Sequence, residues 1–242
     1  MKAFGRLLLM VFCAALLLQL FFVARIAVMA WIEPESTTYQ RSEIWQLAHS
    51  DNGLRWQQQW VDYAQISNNL KRAVIASEDA GFMEHHGVQW DAIQKAYQRN
   101  AKAEAKAEQA EKEGNSGKPA KVYGGSTITQ QLAKNLLLSG ERNFLRKGQE
   151  LVLAQLLELI LGKQRILEIY LNNVEWGEGI FGAEAASQRY FHKSAAQLNA
   201  AEAARLAAML PAPKRFEKIP QSRYLAARTK TITRYIPMIS PP

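Results

Sequence analysis

Residues 150–173 have the sequence ELVLAQLLELILGKQRILEIYLNN, a leucine-rich segment of good helix formers that ends in two asparagines. A second segment of this kind, NAAEAARLAAMLPAP at residues 199–213, is stopped by prolines. Between Ser126 and Pro211 nearly every stretch favours a helix, and no alternating run is long enough to indicate a strand. The sequence therefore predicts a mainly α fold.

The segment YGGSTITQQLAKN, residues 123–135, predicts a helix that begins at Ser126 or Thr127, because a hydroxyl residue after two glycines is a common N-cap. At helical spacing one stripe is apolar: Ile128, Leu132 and Leu136. The other stripe has uncharged donors and a cation: Thr127, Gln130, Gln131 and Lys134. An ordinary solvated face is one interpretation, but such faces usually also contain acids. Hydroxyl, amide and ammonium groups together suit a sugar or a phosphate.

Length and composition limit the possible functions. The chain has 242 residues, 48% of them hydrophobic. This is enough for one sizeable core, but a second full domain would have little room. The net charge of +8 favours an anionic partner: nucleic acid, an acidic lipid surface or a phosphorylated substrate. Cys13 is the single cysteine and the four histidines lack zinc-ligand spacing, so no His/Cys cage for a metal is expected.

The N-terminus predicts a membrane anchor over residues 7–32. Leu7 to Ala24 is an apolar run interrupted only by Gln19, and its length spans a bilayer core. Lys2 and Arg6 precede it, which places residues 1–6 in the cytoplasm and the rest of the chain outside. A cleaved signal peptide is the alternative, but the run exceeds the roughly 7 to 15 residues of a typical signal core. An outside domain without disulfides suits a bacterial envelope, where nucleic acid is not the expected anion.

The rest of the chain divides by composition. Residues 33–60 are mixed and rich in tryptophan, and they predict a linker into a domain that covers 61–235. Residues 101–122 alternate Lys and Glu on alanine, which predicts a mobile charged loop whose beginning is a short solvated helix. Its GNSGKP lacks the spacing of a phosphate-binding nucleotide loop. Residues 236–242 are expected to be a tail.

A pair of acids follows an apolar run in AVIASEDAGFMEHHG, residues 73–87. Glu78, Phe82 and His85 share a face if the helix continues past Gly81. A carboxylate at the end of a buried run and beside a ring can have a pKa raised enough to act as a general base. The alternative is that Glu78 and Asp79 lie on the surface and cap a helix.

A third acid lies in GERNFLRKGQE, residues 140–150. Arg142, Arg146 and Glu150 recur at spacings of four residues, and Lys147 precedes Glu150 by three. This pattern fits an exposed ladder of ion pairs. It also fits a diphosphate site, in which the cations, with Lys134 upstream, hold the phosphates and the acid brings a divalent ion.

Five ordered stretches between residues 65 and 215 resemble the motifs of one family: Glu78-Asp79-x-x-Phe82-x-x-His85-x-Gly87, Gly125-Ser126-Thr127-Ile128-Thr129-Gln130-Gln131-Leu132-Ala133-Lys134-Asn135, Arg146-Lys147-x-x-Glu150, Arg165-Ile166-Leu167-Glu168-x-Tyr170-Leu171-Asn172 and Arg205-Leu206-Ala207-Ala208-x-Leu210-Pro211-x-Pro213. The family is glycosyltransferase family 51, the peptidoglycan glycosyltransferases. The chain lacks the Ser-x-x-Lys and Lys-Thr-Gly motifs of the bifunctional members, so it resembles the monofunctional, membrane-anchored type.

The resemblance implies a lysozyme-like helical fold after the anchor, and lipid II as substrate. It implies that Glu78 is the general base, which deprotonates the 4-hydroxyl of the acceptor's GlcNAc for attack on C1 of the donor's MurNAc. Glu150 would be the second catalytic acid and would position Mg²⁺, Mn²⁺ or the cations, without a dedicated metal cage. The residues implied in binding the substrate or its diphosphate are Asp79, Phe82, His85, Ser126, Thr127, Gln130, Gln131, Lys134, Asn135, Arg142, Arg146 and Lys147.

The implied partners are lipid II, the growing glycan strand, the inner membrane of a bacterium and cell-wall or division proteins, with the domain in the periplasm. Two other functions stay open at this point. A lysozyme-like hydrolase or lytic transglycosylase would share the fold and a catalytic Glu but would not need a diphosphate site. An inactive, membrane-anchored assembly protein would have lost motif acids, and none is missing here.

Overall fold

The structure, a computed structural model, describes residues 2–49, 53, 55–112, 125–141 and 143–242. In these residues the chain is mainly helical, as predicted. The helices are α1 (Lys2–Val28), α2 (Thr38–Ala48), α3 (Asn68–Glu78), α4 (Trp90–Lys112), α5 (Ile128–Leu137), α6 (Phe144–Asn173), α7 (Ala183–Phe191), α8 (Ala200–Met209), α9 (Pro213–Lys218) and α10 (Arg223–Tyr235). Single 3₁₀ turns lie at Tyr63–Gln65, Ala195–Gln197 and Ile236–Met238.

A small sheet accompanies the helices. Its strands are β1 (Gln57–Gln58), β2 (Glu175–Gly177) and β3 (Ile180–Phe181), in the order β1-β3-β2. β1 is parallel to β3, with Gln57 opposite Ile180, and β2 is antiparallel to β3. Strands of two or three residues are too short to produce an alternating pattern, which is why they could not be predicted from the sequence.

Helix α6 is the centre of the core. Leu153 and Leu157 from its first half, and Ile166 and Tyr170 from its second half, are fully or almost fully buried. Each such side chain contributes about 1.5–3 kcal/mol through its removal from water. The two halves meet at Gly162, whose φ of 71° and ψ of 166° break the helical geometry that the sequence predicted as continuous. The kink lets both halves face the same core, against α5 on one side.

Helix α1 is long and apolar enough to cross a membrane over Ala3–Val28, where its mean hydropathy reaches 2.8. Most of its large apolar side chains before residue 22 are exposed. Its end joins the domain instead, because Phe22, Ile26 and Met29 are buried in the main core. Arg165 of α6 donates from Nε to the Met29 carbonyl at 2.9 Å. The anchor and the domain are therefore packed together at the end of α1.

The segment predicted as a linker into the domain, residues 33–60, packs on the domain in its described part. They contain α2 and β1, and Thr37 caps α2 through a capping box with Gln40. Thr38 donates from Oγ1 to the Leu136 carbonyl at 3.0 Å, which fastens α2 to α5. The buried side chains of α2 include the polar Gln40 and Glu43, so the segment has no apolar periodicity that sequence reasoning could detect.

The predicted tail, residues 236–242, also packs on the domain. Ile236 is buried in the core, where it continues the apolar stripe of Leu225 and Ile232 on α10. Tyr63 donates from its hydroxyl to the Pro242 carbonyl at 2.7 Å. The segment predicted as a tail therefore contacts the domain through Ile236 and Pro242.

The predicted charged loop, residues 101–122, starts as a helix. Helix α4 continues to Lys112, and the side chains of residues 101–110 are exposed or half-buried. The short solvated helix expected at the beginning of this segment is thus present. Residues 113–122, the remainder of the predicted loop, lie outside the described residues.

Candidate active site

Glu78 is the last residue of α3. Ser67 caps the start of the helix, where its hydroxyl accepts from the Leu70 amide at 3.1 Å, and the apolar face of α3 packs on α8. Ser77 Oγ donates to Glu78 Oε1 at 3.2 Å, and Gln131 Nε2 donates to Glu78 Oε2 at 3.2 Å. Burial raises the pKa of the Glu78 carboxyl, and these two hydrogen bonds oppose the effect only in part. A carboxylate with an increased affinity for protons is suited to general-base chemistry.

Gln131 is itself held in place from the core. The hydroxyl of Tyr170, a side chain only 1% exposed, donates to Gln131 Oε1 at 3.0 Å. With its oxygen engaged in this way, the Gln131 amide directs its nitrogen at Glu78. The expected site residue Gln131 therefore contacts the candidate base directly, and Tyr170 determines its orientation.

Asp79 has a different task from its neighbour. Its oxygens both lie 2.9 Å from His85 Nε2, and Oδ2 accepts from the Ile128 amide at 3.0 Å. Ile128 is the first residue of α5, where the helix dipole favours a negative charge. Asp79 is 5% exposed, so it ties the end of α3 to the start of α5 from inside the protein.

Helix α3 ends at Glu78 and does not continue past Gly81. The condition under which Glu78, Phe82 and His85 would share a helix face is therefore not met. Asp79 has a φ of −161°, which ends α3. Phe82 and His85 are therefore not on one helix face with Glu78. Phe82 is fully buried, lies edge-on to the His85 ring and has Lys163 Nζ 4.4 Å from its ring centroid. These side chains support the turn that follows Glu78.

Gly87 closes that turn. Its φ is 82°, and a Cβ added there would lie 2.9 Å from the Ala154 carbonyl oxygen of α6. The Gly87 carbonyl accepts from Thr127 Oγ1 at 2.6 Å. Only a glycine combines this backbone conformation with this close approach.

Thr127 and Gln130, which the resemblance implies in substrate binding, bind each other in the structure. Thr127 is the N-cap of α5: its Oγ1 accepts from the Gln130 amide, and its own amide donates to Gln130 Oε1 at 2.9 Å. They are 2% and 0% exposed. The predicted N-cap and the apolar stripe of α5 are confirmed. The spacing Thr-x-x-Gln is a capping box, and that signal could have separated these two residues from the cleft-facing ones.

The cations near the start of α6 converge on Glu150. Arg146 Nη1 donates to Glu150 Oε2 at 2.9 Å, and Lys147 Nζ pairs with Glu150 Oε1. Lys147 Nζ also donates to Ser126 Oγ at 3.3 Å. Glu150 is only 2% exposed, so the ion pairs form around a buried carboxylate and are not an exposed ladder. Arg142, the other predicted cation, lies outside the described residues.

A cleft of about 520 Å³ joins these groups. The predicted site residues that line it are Ser126, Gln131, Lys134, Asn135, Arg146, Lys147 and Glu150. Glu78 is not one of its lining residues and is linked to the cleft through its hydrogen bond with Gln131, whereas the cluster around Glu150 supplies positive charge in the wall. The cleft can therefore place an anionic group near cations, and Gln131 connects it to the candidate base.

The other wall of the cleft comes from α2, which sequence reasoning missed. Its residues in the lining are Thr38, Tyr39, Ser42, Glu43 and Gln46. Tyr39 donates from its hydroxyl to Glu175 Oε2 at 2.7 Å, and Lys214 pairs with both Glu43 and Glu175. Burial is the main reason that the pKa of Glu175 is raised to about 7, against the opposing effect of Tyr39 and Lys214. This buried network fastens α2 to β2 and α9.

The described residues do not provide a cage for a resident metal. They contain no group of three or more His, Cys, Asp or Glu side chains that could hold an ion. Both oxygens of Glu150 are engaged by Arg146 and Lys147. The metal role of Glu150 stays a prediction that this arrangement does not support, because the carboxylate is occupied by two cations.

Comparison with known proteins gives the family. The family described as Transglycosylase matches residues 47–236. The chain belongs to this family. This confirms the predicted family and, with it, the lysozyme-like helical class.

Among relatives of this transglycosylase, the biosynthetic peptidoglycan transglycosylase of Bordetella pertussis is 50% identical over 232 residues, which are 96% of this chain and 91% of the relative. The protein of the same name from Paraburkholderia phytofirmans is 50% identical over 216 residues, 89% of this chain and 84% of the relative. That of Janthinobacterium sp. is 51% identical over 219 residues, 90% and 88% of the two chains.

Proposed function

We propose that this transglycosylase is a peptidoglycan glycosyltransferase that polymerises lipid II into β-1,4-linked glycan strands and releases undecaprenyl diphosphate. The observation that carries the proposal is the position of Glu78, which Gln131 links to a cleft with the Arg146–Lys147–Glu150 cluster in its wall. A base near a cation cluster suits a transfer that needs both an activated hydroxyl and a stabilised phosphate. The names of the relatives support peptidoglycan as the product.

The proposed step uses both Glu78 and the cations of the Arg146–Lys147–Glu150 cluster. Glu78 takes the proton of the acceptor's 4-hydroxyl as that oxygen forms a bond to C1 of the donor sugar. The bond between C1 and the phosphate oxygen breaks, and the diphosphate leaves with the electron pair. Arg146, Lys147 and Lys134 offset the charge that develops on it. A diphosphate is a weak base, so the leaving group needs charge neutralisation more than a proton.

The cluster around Glu150 distinguishes this proposal from a hydrolase of similar fold. A glycosidase of the common two-carboxylate type uses one carboxylic acid to protonate the leaving oxygen. Glu150 instead accepts from two cations through both of its oxygens. In this arrangement it positions Arg146 and Lys147 and does not serve as a proton donor.

The test is an assay of the purified full-length chain in lipid vesicles with labelled lipid II. We expect long glycan strands on a sizing gel, together with released undecaprenyl diphosphate. Reactions with Mg²⁺, with Mn²⁺ and with a chelator measure whether a divalent ion that accompanies the diphosphate contributes. Shortening of preformed glycan without polymerisation of lipid II would contradict the proposal and indicate a lytic enzyme.

We further propose that α1 is an uncleaved anchor, with residues 1–6 in the cytoplasm and the domain outside, where it meets lipid II and cell-wall or division proteins. The charges of Lys2 and Arg6 favour this orientation. Cleavage near residue 30 would also remove Phe22 and Ile26 from the core. We expect protease added to spheroplasts to digest the domain but not an N-terminal tag. A membrane-fraction protein whose N-terminal sequence starts at Trp31 would contradict the uncleaved anchor.

A further inference from the structure

Arg228 lies on α10, outside the five stretches that carry the family resemblance. Helix α10 packs against α8 and α3, and its Leu225 and Ile232 are buried in the core. This packing brings Arg228, which is half-buried, to the end of α3 where Glu78 lies. A cation from a distant part of the chain thereby approaches the candidate base.

The contacts of Arg228 lead to Glu78 through one residue. Arg228 Nη2 donates to the Ser77 carbonyl at 3.1 Å and to Ser77 Oγ at 3.4 Å. Ser77 Oγ in turn donates to Glu78 Oε1 at 3.2 Å. Among the described residues no acid forms an ion pair with Arg228, and its buried Nε has no hydrogen-bond partner there. Within the described part of the chain, its charge is therefore not used in a structural salt bridge.

We propose that Arg228 is a positioning residue for the transferase reaction: its hydrogen bonds to Ser77, the residue before Glu78, hold a positive charge beside the candidate base. This inference rests on the proposed role of Glu78 as the general base. It adds a residue from α10 to a site that the sequence motifs place on α3, α5 and α6.

The electrostatics around Glu78 agree with this role. The charged and titratable groups that face it are Arg228 from α10, Asp79 beside it and the Tyr170 hydroxyl from α6, while α8 contributes the Ala207 carbonyl near Ser77. Burial raises the pKa of Glu78 and Asp79 raises it further, whereas Arg228 lowers it. Without Arg228, Glu78 would bind its proton at higher pH, and the fraction of active base at low pH would fall.

The experiment compares Arg228→Gln, Arg228→Lys and the control Arg234→Gln, which removes an exposed cation from the same helix. The rate of lipid II polymerisation by each full-length protein in vesicles is measured from pH 5 to pH 9. We expect Arg228→Gln to lose roughly tenfold in rate at the acidic end, because a base without the neighbouring positive charge is protonated to a greater extent there, and to approach the parent rate at the alkaline end. Arg228→Lys should retain most of the acidic activity, and Arg234→Gln should match the parent.

A merely structural role would give a different result. It would lower the melting temperature and reduce the rate of Arg228→Gln by the same factor at every pH, and this outcome would overturn the inference. Glu78→Gln separates the two proposals. If that variant is inactive and the pH profile of Arg228→Gln equals that of the parent, the inference on Arg228 fails while the proposed function stands. If Glu78→Gln remains active, the role of Glu78 as base fails first.

Discussion

Glu78→Gln should abolish glycan polymerisation while the protein stays folded. We expect the rate to fall by roughly 10² to 10⁴-fold, the usual contribution of a general base. The amide has nearly the same shape as the carboxylate and can still accept a hydrogen bond from Ser77 or Gln131, but it cannot take up the acceptor's proton. Because burial disfavours the charged form of Glu78, loss of that charge should not lower the melting temperature. Initial rates with lipid II and thermal unfolding measure the two effects separately.

The matched control for this prediction is Glu84→Gln. Glu84 lies in the turn after α3, only six residues from Glu78, and its side chain is exposed. This variant should polymerise lipid II at the parent rate, so that any loss in Glu78→Gln cannot be assigned to a general change of charge. A Glu78→Gln protein that keeps more than about a tenth of the parent rate would show that another group takes the proton.

Glu150→Gln should give the second large effect, through the cations that Glu150 holds. The substitution removes the charge to which Arg146 and Lys147 are bound, and both would leave the positions in which they face the cleft. We expect loss of transferase activity and weaker binding of a short polyprenyl diphosphate. A lost charge-assisted contact to a phosphate corresponds to roughly 1.5–3 kcal/mol, or about 10 to 100-fold in Kd.

Lys134→Ala tests the same surface from α5 and should also weaken diphosphate binding. The control is Arg189→Gln, which removes a half-exposed cation that pairs with Glu217 away from the cleft. That change should cost at most about 1 kcal/mol of stability and leave diphosphate binding unchanged. Calorimetric titration and melting curves measure both quantities for each variant. Unchanged affinity with a lower melting temperature in Glu150→Gln would assign the cluster to the stability of the fold alone.

Several features could be predicted because they depend on residues close together in the sequence. The start of α5 at Thr127 follows from a hydroxyl residue placed before an apolar stripe. The membrane-length helix follows from one uninterrupted apolar run. The convergence of Arg146 and Lys147 on Glu150 follows from spacings of four and three residues on one helix. In each case the helix period itself brings the groups together.

The two adjacent acids mark the limit of this reasoning. The resemblance implied different roles for Glu78 and Asp79, but no sequence pattern showed which groups each side chain contacts. The end of α3 at Glu78 turns Asp79 toward the first amide of α5, while Glu78 meets Gln131. Which acid faces which partner depends on how α3 and α5 are packed, and no local pattern encodes that packing.

The sequence by itself determined the family motifs, the helical class, the membrane-length segment and the identity of the candidate base. Only the tertiary structure showed that α2 forms a wall of the cleft, that Tyr170 orients Gln131 and that Arg228 reaches Ser77 across 151 residues of chain. The reason is physical. Periodicity reports contacts within a helix and the burial of apolar faces, whereas these contacts join polar side chains on elements that are distant in sequence and become neighbours only when the core forms.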